Sequence, residues 1–217
     1  MPHLSDALLY AILDTGYVDE ARAEHVTAAL LDGGAGILQL RAKNWPMARV
    51  AHLAQRLLPL CRASGVPFII NDHPHIARDV GADGVHIGQD DGSLESVRAV
   101  VGPNMVVGRS THSVDQAVAA AAEGFDYLGF GPLFPTATKP GRPAIGMDHL
   151  AVVHERIQIP IFAIGGVNLQ TLEPVLAAGA KRVVIVSALL CADDVAAETR
   201  KVLAIMRQNP QSCASQI

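Results

Sequence analysis

The chain has few cysteines and few charged residues. Its three cysteines, Cys61, Cys191 and Cys213, are widely spaced, and no CxxC pair occurs among the 217 residues. This spacing gives no sign of a disulfide framework. Charged residues make up 18% of the chain, and the formal net charge is −4. A mildly acidic chain lacks the basic face that nucleic acids and membrane surfaces require, so neither is expected as a partner.

Long apolar runs and a leader segment are also missing. No apolar run reaches the roughly 20 residues that a membrane-spanning helix needs. The first residues, MPHLSDALLYAILD, have no basic segment and reach Asp14 early, so a secretory signal is not expected. These absences predict a soluble, reduced, cytoplasmic protein. The polar residues 209–217 are expected to form a disordered tail.

The chain does contain a series of short apolar runs. Each has the length of a strand and is apolar throughout, which is typical of strands buried on both faces of a parallel sheet. The runs are LLYAIL (from Leu8), GILQLR (from Gly36), PFIIN (from Pro67), GVHIG (from Gly84), MVVGRS (from Met105), YLGFG (from Tyr127), PIFAIGG (from Pro160) and RVVIVS (from Arg182).

Segments with helical spacing lie between most of these runs. The first, DEARAEHVTAALLDGG, begins with acidic residues and ends in Gly33-Gly34, a normal helix start and stop. The others are MARVAHLAQRLLPLCRASG, SVDQAVAAAAEG, TLEPVLAAGA and residues 73–81, 93–102 and 192–206. This alternation predicts an α/β fold, a single (β/α)8 TIM barrel over residues 1–217. The alternative is a doubly wound open sheet, although no GxGxxG follows the first strand.

Polar residues follow the strands at the end where a barrel carries its chemistry. In QLRAK, alternation places Gln39, Arg41 and Lys43 on one side of an extended chain and Leu40 and Ala42 on the other. Two cations and an amide can bind a polyphosphate, because arginine offers a planar fork and lysine a compact charge. The same pattern fits a solvated strand end with a salt bridge, so QLRAK alone leaves both interpretations open.

Two aspartates, Asp72 and Asp91, follow consecutive strands and are expected to be neighbours. Close carboxylates repel each other unless a cation lies between them, and Mg²⁺ usually binds one or two carboxylates plus substrate phosphates. Alternatively, each aspartate caps the helix that follows it. Their position beside a basic strand end favours a magnesium site, with Asp90 as an alternative ligand.

A second anion site is predicted where the seventh and eighth strands end. Gly165-Gly166 and Ser187 stand where barrels commonly bind a phosphate through backbone N–H groups. A tight turn is the other interpretation of the glycines. The loop GFGPLFPTATKPG, residues 129–141, lies between the two predicted anion sites and carries one cation, Lys139. It is either a surface turn or an anion clamp.

The histidines give weaker signals. His73 and His75 form HPH, but no third soft ligand accompanies them, and a helix start explains them more simply. His86 lies inside an apolar strand and is interpreted as a core histidine. His112 either contacts a substrate or caps a helix.

Seven segments of the chain resemble the thiamine-phosphate synthase family. They are QLRAK, IINDH, GADGVHIGQDD, VGRSTH, GFGPLFPTATKPG, FAIGGV and VIVSAL, in the family's order and spread from Leu9 to about Met206. The resemblance implies a Mg²⁺-dependent transferase of thiamine biosynthesis. Such an enzyme joins 4-amino-2-methyl-5-hydroxymethylpyrimidine diphosphate to 4-methyl-5-hydroxyethylthiazole phosphate and releases pyrophosphate by a dissociative substitution. These small molecules are the expected partners, and whether the chain forms a homo-oligomer is left open.

The resemblance also implies a role for each matching residue. The residues implied to bind the pyrimidine diphosphate are Gln39, Leu40, Arg41, Ala42, Lys43, Asn71, Ser110 and Lys139, of which Arg41, Lys43, Ser110 and Lys139 are implied to be catalytic. The metal is implied to bind Asp72 and Asp91. The residues implied to bind the thiazole phosphate are Thr136, Ala137, Thr138, Gly166, Val186 and Ser187. A minor departure from the family is Val167, where Ile is common.

Three rival functions share features with this interpretation. A related thiazole tautomerase is expected to carry a catalytic His where this chain has Pro132, and to lack the aspartate pair. An isomerase or aldolase barrel would need a catalytic lysine or an acid–base pair at the strand ends, and Lys43 is the only lysine there apart from the loop's Lys139. A barrel that binds thiamine precursors without turnover remains as the non-enzymatic alternative.

Overall fold

In the computed structural model of the chain, the eight apolar runs form a closed parallel barrel. The structure describes residues 4–136 and 143–209. The strands are β1 (Leu9–Asp14), β2 (Ile37–Arg41), β3 (Phe68–Asn71), β4 (Gly84–Ile87), β5 (Val106–Thr111), β6 (Tyr127–Phe130), β7 (Ile161–Ile164) and β8 (Val183–Ile185). Each strand pairs with the next along the chain, and β1 pairs with β8 in the register Leu9↔Val183. The predicted TIM barrel is therefore confirmed, and the alternative of an open sheet is wrong.

Helices follow the strands on the outside of the barrel. They are α1 (Glu20–Asp32), α2 (Met47–Ala63), α3 (Pro74–Val80), α4 (Leu94–Val101), α5 (Val114–Glu123), α6 (Leu150–Arg156), α7 (Leu169–Ala177), α8 (Ser187–Leu190) and α9 (Val195–Gln208), and a short 3-10 helix, Leu4–Asp6, precedes β1. Of these, α6 and α8 are not individually predicted from the sequence. Both are short, and α8 has only four residues, too few to display a helical period.

Most helix starts follow the local chemistry of the sequence. Asn168 begins α7 with a capping box, in which its side chain accepts from the Thr171 N–H and the Thr171 hydroxyl accepts from the Asn168 N–H. Ser93 caps α4 by accepting from the Ser96 N–H at 3.2 Å. At α3, Pro74 occupies the first turn directly after His73, where its missing N–H costs nothing. A helix start therefore accounts for the HPH segment.

The barrel wall separates two hydrophobic cores. The larger one lies between strands and helices and contains the outward-facing residues of the strands, such as Leu38 and Ile70. A smaller cluster fills the barrel interior, and Tyr10, Tyr127 and Phe162 are its largest members. Ile37 on β2 and Ile69 on β3 belong to the same cluster. Because successive strand residues point to opposite faces, Gln39 and Asn71, two positions further along these strands, also point inward. The apolar plug thus fills the lower barrel and leaves its carboxyl end to polar groups.

Two further findings concern the ends of the chain and the membrane. Residues 210–217, most of the tail expected to be disordered, lie outside the described residues. No helix within the ranges 4–136 and 143–209 is long and apolar enough to cross a membrane.

Candidate active site

One cavity opens at the carboxyl end of the barrel, and it brings together half of the site residues that the sequence predicts. The predicted site residues that line it are Gln39, Arg41, Asn71, Ser110, Thr136, Gly166, Val186 and Ser187. They come from the ends of several strands, and the first and last of them, Gln39 and Ser187, are 148 positions apart in the sequence. Both predicted anion sites therefore border the same cavity.

Other predicted site residues lie elsewhere. Leu40 and Ala42 are buried in the outer core, facing the helices, so only their backbone could contact a substrate in the cavity. Ala137, Thr138 and Lys139 lie outside the described residues.

A buried ion pair orients the arginine of this cavity. Arg41 ends β2, and its Nη1 lies 2.5 Å from Asp14 Oδ2 at the end of β1. The other carboxylate oxygen of Asp14 accepts from the Gly16 N–H at 2.9 Å, which anchors the loop after β1. Asp14 is 3% exposed and Arg41 9% exposed. The guanidinium is thus held in place before any anion arrives, which reduces the ordering cost of binding.

Asp14 carries a signal that sequence reasoning could have used. It is a charged residue at the end of an otherwise apolar strand, and Asp72, directly after β3, is singled out by a similar pattern. Its partner could not be read from the sequence, because Asp14 and Arg41 face each other only through the parallel pairing of β1 and β2.

Both candidate metal-binding aspartates are tied to the end of β4. The Asp72 N–H donates to the His86 carbonyl oxygen at 2.9 Å, and Asp91 Oδ2 accepts from the Gly88 N–H at 2.7 Å. Neither aspartate caps a helix, because the residues at the N-caps of α3 and α4 are His73 and Ser93. The capping interpretation is therefore wrong for both.

Lys43, Asp72 and Asp91 are not among the residues that line the cavity, although Asp72 directly follows the lining residue Asn71. Lys43 Nζ lies 3.9 Å from Asp72 Oδ2, and its side chain is 53% exposed, so this ion pair contributes little to stability. Asp72 has a φ of 63°, in the left-handed region that aspartate tolerates better than most residues. This conformation turns the chain sharply at the end of β3.

The side chains of the two aspartates are of a type that fits a magnesium ion. Asp72 and Asp91 supply carboxylate oxygens, the ligand type that Mg²⁺ prefers. Among residues 4–136 and 143–209, no group of three or more His, Cys, Asp or Glu side chains could hold a metal ion. An ion bound by the two aspartates would therefore need water or substrate oxygens to complete its coordination, which is the usual arrangement for Mg²⁺ at phosphate sites.

On the other side of the cavity, two glycines allow β7 to approach the loop after β6. Gly165 and Gly166 have φ values of 100° and 70°. A Cβ atom at Gly165 would lie 2.5 Å from Pro132 Cα, and one at Gly166 would lie 2.6 Å from Phe134 Cβ. Only glycine fits both the dihedral angles and this close packing. The segment brings Gly166 to the cavity, which Thr136 and Ser187 also line.

Two histidines have a larger part in the site than the sequence indicates. His86 is buried as predicted, yet it also lines the cavity, where its Nε2 lies 2.9 Å from Ser110 Oγ. His112 lines the cavity too, and its Nδ1 donates to the Gly131 carbonyl oxygen. An apolar strand pattern hides the role of His86, because an inward-facing residue of a barrel is buried whether or not it borders the site.

Comparisons with known proteins agree with this geometry. A family model described as thiamine monophosphate synthase matches residues 9–189. A thiamine-phosphate synthase of Thermus thermophilus is 46% identical over 180 residues, which cover 82% of this chain and 86% of that protein. The thiamine-phosphate synthase of Chloroflexus aurantiacus is 40% identical over 205 residues, 94% of each chain.

A solved structure extends the comparison to three dimensions. The thiamine phosphate pyrophosphorylase from Pyrococcus furiosus superimposes with a TM-score of 0.85 at 31% identity, covering 95% of this chain and 98% of that one. Because the family model and the relatives both cover most of the sequence, the chain belongs to the thiamine monophosphate synthase family.

Proposed function

We propose that this protein is a thiamine-phosphate synthase, which condenses the aminopyrimidine diphosphate with the thiazole phosphate and releases pyrophosphate. The observation that carries the proposal is the single cavity bordered by both sets of anion-binding candidates. A bimolecular reaction between two phosphorylated rings needs such a shared cavity, because both reactants must be held in contact. Family membership agrees with this activity.

The pyrimidine diphosphate would bind along the β2 side of the cavity. Arg41, fixed by Asp14, offers a preoriented guanidinium to the diphosphate. Gln39, Asn71 and Ser110 line the same wall and supply neutral polar groups for the pyrimidine. Lys43 and, in the loop after β6, Lys139 would add positive charge. Leu40 and Ala42 would contribute through their backbone.

Asp72 and Asp91 would hold Mg²⁺. The bound ion would supply positive charge that stabilises the departing pyrophosphate. Lys43, 3.9 Å from Asp72, would hold its charge close to this site.

The thiazole phosphate would bind on the opposite side, between β7, β8 and the loop after β6. Gly166, Val186 and Ser187 line the cavity there, and the left-handed glycines expose backbone to an approaching anion. Thr136, with Ala137 and Thr138, would complete this side. The two rings would then meet in the centre of the cavity.

The chain's residues suit a dissociative substitution. Such a reaction needs stabilisation of charge on the leaving diphosphate rather than a protein nucleophile. Arg41, Lys43 and Lys139 would provide this stabilisation as preorganised cations, and closure of the cavity around the substrates would keep water from the reactive pyrimidine. Pro132 lines the cavity where the tautomerase rival would need a histidine, so the tautomerase alternative is disfavoured.

The proposal is tested by incubating the purified protein with both substrates and Mg²⁺. We expect thiamine phosphate and pyrophosphate in equal amounts, only when both substrates and metal are present. Substrate binding without product would instead support the barrel that binds precursors without turnover. Failure of the wild-type protein to form thiamine phosphate would contradict the proposed function.

The metal assignment has its own test within this assay. We expect Asp91→Ala to lower kcat about 100-fold or more at limiting Mg²⁺, because metal stabilisation of a leaving group is worth several kcal/mol. Asp90→Ala serves as the matched comparison, and we expect a smaller loss. A larger loss in the Asp90 variant would move the ligand role to Asp90 while leaving the activity itself intact.

A further inference from the structure

A row of hydrogen bonds crosses the barrel interior beneath the cavity. Gln39 Nε2 donates to the Tyr10 hydroxyl at 2.7 Å, and the Tyr10 and Tyr127 hydroxyls lie 2.9 Å apart. The Tyr127 hydroxyl lies 3.0 Å from His86 Nδ1, and His86 Nε2 lies 2.9 Å from Ser110 Oγ. These five residues are called the interior relay below. Its two ends, Gln39 and Ser110, both line the cavity.

The number of protons in the relay fixes the direction of its bonds. The Gln39 amide nitrogen can only donate, so the Tyr10 oxygen accepts. Within residues 4–136 and 143–209, the two phenols have no hydrogen-bond partners beyond those of the relay. Tyr10 must therefore donate to Tyr127, and Tyr127 to His86 Nδ1, or a buried O–H would remain without an acceptor.

The phenols are suited to this arrangement because they stay protonated. Burial raises the pKa of the Tyr10 phenol, and it raises the pKa of the Tyr127 phenol well above its ordinary value. Packing holds both rings, since the Phe162 ring meets Tyr10 edge-on at 5.3 Å and Tyr127 edge-on at 5.8 Å. The relay is thus rigid and electrically neutral along its phenols.

From this direction we infer that His86 is a positioning residue, which the relay holds as the Nε2–H tautomer. Ser110 then accepts a hydrogen bond from His86 Nε2–H. Its own hydroxyl proton is left to donate to the pyrimidine diphosphate. The inference rests on the proposed function and extends it. Diphosphate oxygens and pyrimidine ring nitrogens are acceptors only, and these are the substrate groups that Ser110 is inferred to contact, rather than the 4-amino group, which donates. If Ser110 donated its proton to His86, the lone pairs of Ser110 Oγ would face the lone pairs of these acceptors. In the inferred direction, the Ser110 hydroxyl donates to them.

The tautomer of His86 tests the inference directly. Reversing the Gln39 amide would reverse every bond of the relay and would leave the His86 proton on Nδ1. In ¹⁵N-histidine-labelled protein, we expect the His86 signals, assigned by their loss in His86→Gln, to show a protonated Nε2 and an unprotonated Nδ1. A proton on Nδ1 would overturn the inference whether or not the protein proves to be a synthase.

Tyr127→Phe keeps the ring and removes the relay's central hydroxyl. We expect this variant to lose the preference for the Nε2–H tautomer. The matched control is Phe162→Leu, which disturbs the same cluster but removes no hydrogen bond, and we expect it to keep the tautomer. An unchanged tautomer in Tyr127→Phe would show that the relay does not control His86. Thermal unfolding checks that both variants are folded.

Kinetics test whether the relay acts through Ser110. We expect Tyr127→Phe to lower kcat/KM for the pyrimidine diphosphate about tenfold, the effect of one ordinary hydrogen bond, and to leave the KM for the thiazole phosphate unchanged. In a Ser110→Ala background the same change should have almost no further effect, because coupled residues are not additive. Equal losses in both backgrounds would contradict action through Ser110. His86→Gln, whose amide can replace the Nε2 donor, should retain more activity than His86→Asn.

Discussion

At the scale of single residues, Asp14 and Arg41 form a buried ion pair beside the cavity. Arg41 Nη1 lies 2.5 Å from Asp14 Oδ2, and both side chains are at least 90% buried. We expect Asp14→Ala to lower the free energy of unfolding by about 3–5 kcal/mol, because it leaves Arg41 buried without its carboxylate. Urea unfolding measures the loss. The same variant should bind the pyrimidine diphosphate more weakly, because Arg41 would no longer be held in place.

A double variant separates the two effects. Replacing the pair by apolar residues, as in Asp14→Leu with Arg41→Met, should recover most of the lost stability, because no uncompensated charge remains. Binding of the pyrimidine diphosphate should not recover. If the single variant unfolds like the wild type, the pair is not the buried electrostatic contact that its geometry indicates.

Individual residues also show what sequence can and cannot reveal about this site. Alternation within QLRAK predicts that Gln39 and Arg41 share a side, and both line the cavity. The same alternation predicts that Leu40 faces the other side. Only the family resemblance groups Leu40 with the binding residues. His86 could not be recognised, because its significance depends on Tyr127 and Ser110 on neighbouring strands, and no pattern within one strand contains that information.

At the scale of elements, β5 and β6 are matched by a glycine opposite an aromatic ring. A Cβ atom at Gly108 would lie 2.1 Å from Tyr127 Cζ. We expect Gly108→Ala to lower the free energy of unfolding by about 1–3 kcal/mol or more, because overpacking a barrel interior forces strands or rings to shift. It should also disturb the interior relay, since Tyr127 cannot keep its place. Thermal unfolding together with the His86 tautomer measures both effects.

The matched control for Gly108 lies on the neighbouring strand. A Cβ atom at Gly129, on β6, would lie 3.6 Å from His86 Cε1, an ordinary contact distance. Gly129→Ala should therefore cost much less stability. Equal stability of the two variants would show that the barrel wall adjusts to Tyr127 more readily than its packing indicates.

The strands and long helices are the features of this molecule that the sequence predicts best. Each strand corresponds to an apolar run of the sequence, so the pattern of these runs is enough to predict the eight strands. Long helices such as α2, with 17 residues, display their period clearly. By contrast, α6 spans seven residues within the long segment between β6 and β7, and its burial arises from tertiary packing rather than from a sustained sequence pattern.

At the scale of the whole molecule, the two ends of the barrel have different roles. The lower interior is an aromatic and aliphatic plug, and the carboxyl end holds the polar cavity. Charged groups at the site can therefore be substituted with limited effect on the core, except where they are buried in pairs, as with Asp14. The order of the strands around the barrel explains why residues far apart in sequence reach one cavity.

One partly buried histidine on the outer layer links the stability of the whole barrel to pH. His154 lies on α6, and burial, followed by the nearby charges of Lys181 and Arg182, lowers its pKa from 6.5 to about 4. In the unfolded chain it takes up a proton below about pH 6.5, while in the folded protein it resists protonation until about pH 4. The stability associated with neutral His154 is therefore fully present above pH 6.5 and is lost as pH falls toward 4.

Removing the histidine should remove this dependence. Because one pKa unit corresponds to about 1.4 kcal/mol, we expect wild type to lose about 3 kcal/mol more than His154→Leu between about pH 7 and pH 4, measured by urea unfolding across that range. Comparing the two proteins cancels the acid titration of the carboxylates that they share. The control is His25→Gln, which replaces an exposed histidine on α1. Parallel curves for wild type and His154→Leu would mean that His154 is protonated in the folded protein despite its burial, and that the outer layer opens enough to hydrate it.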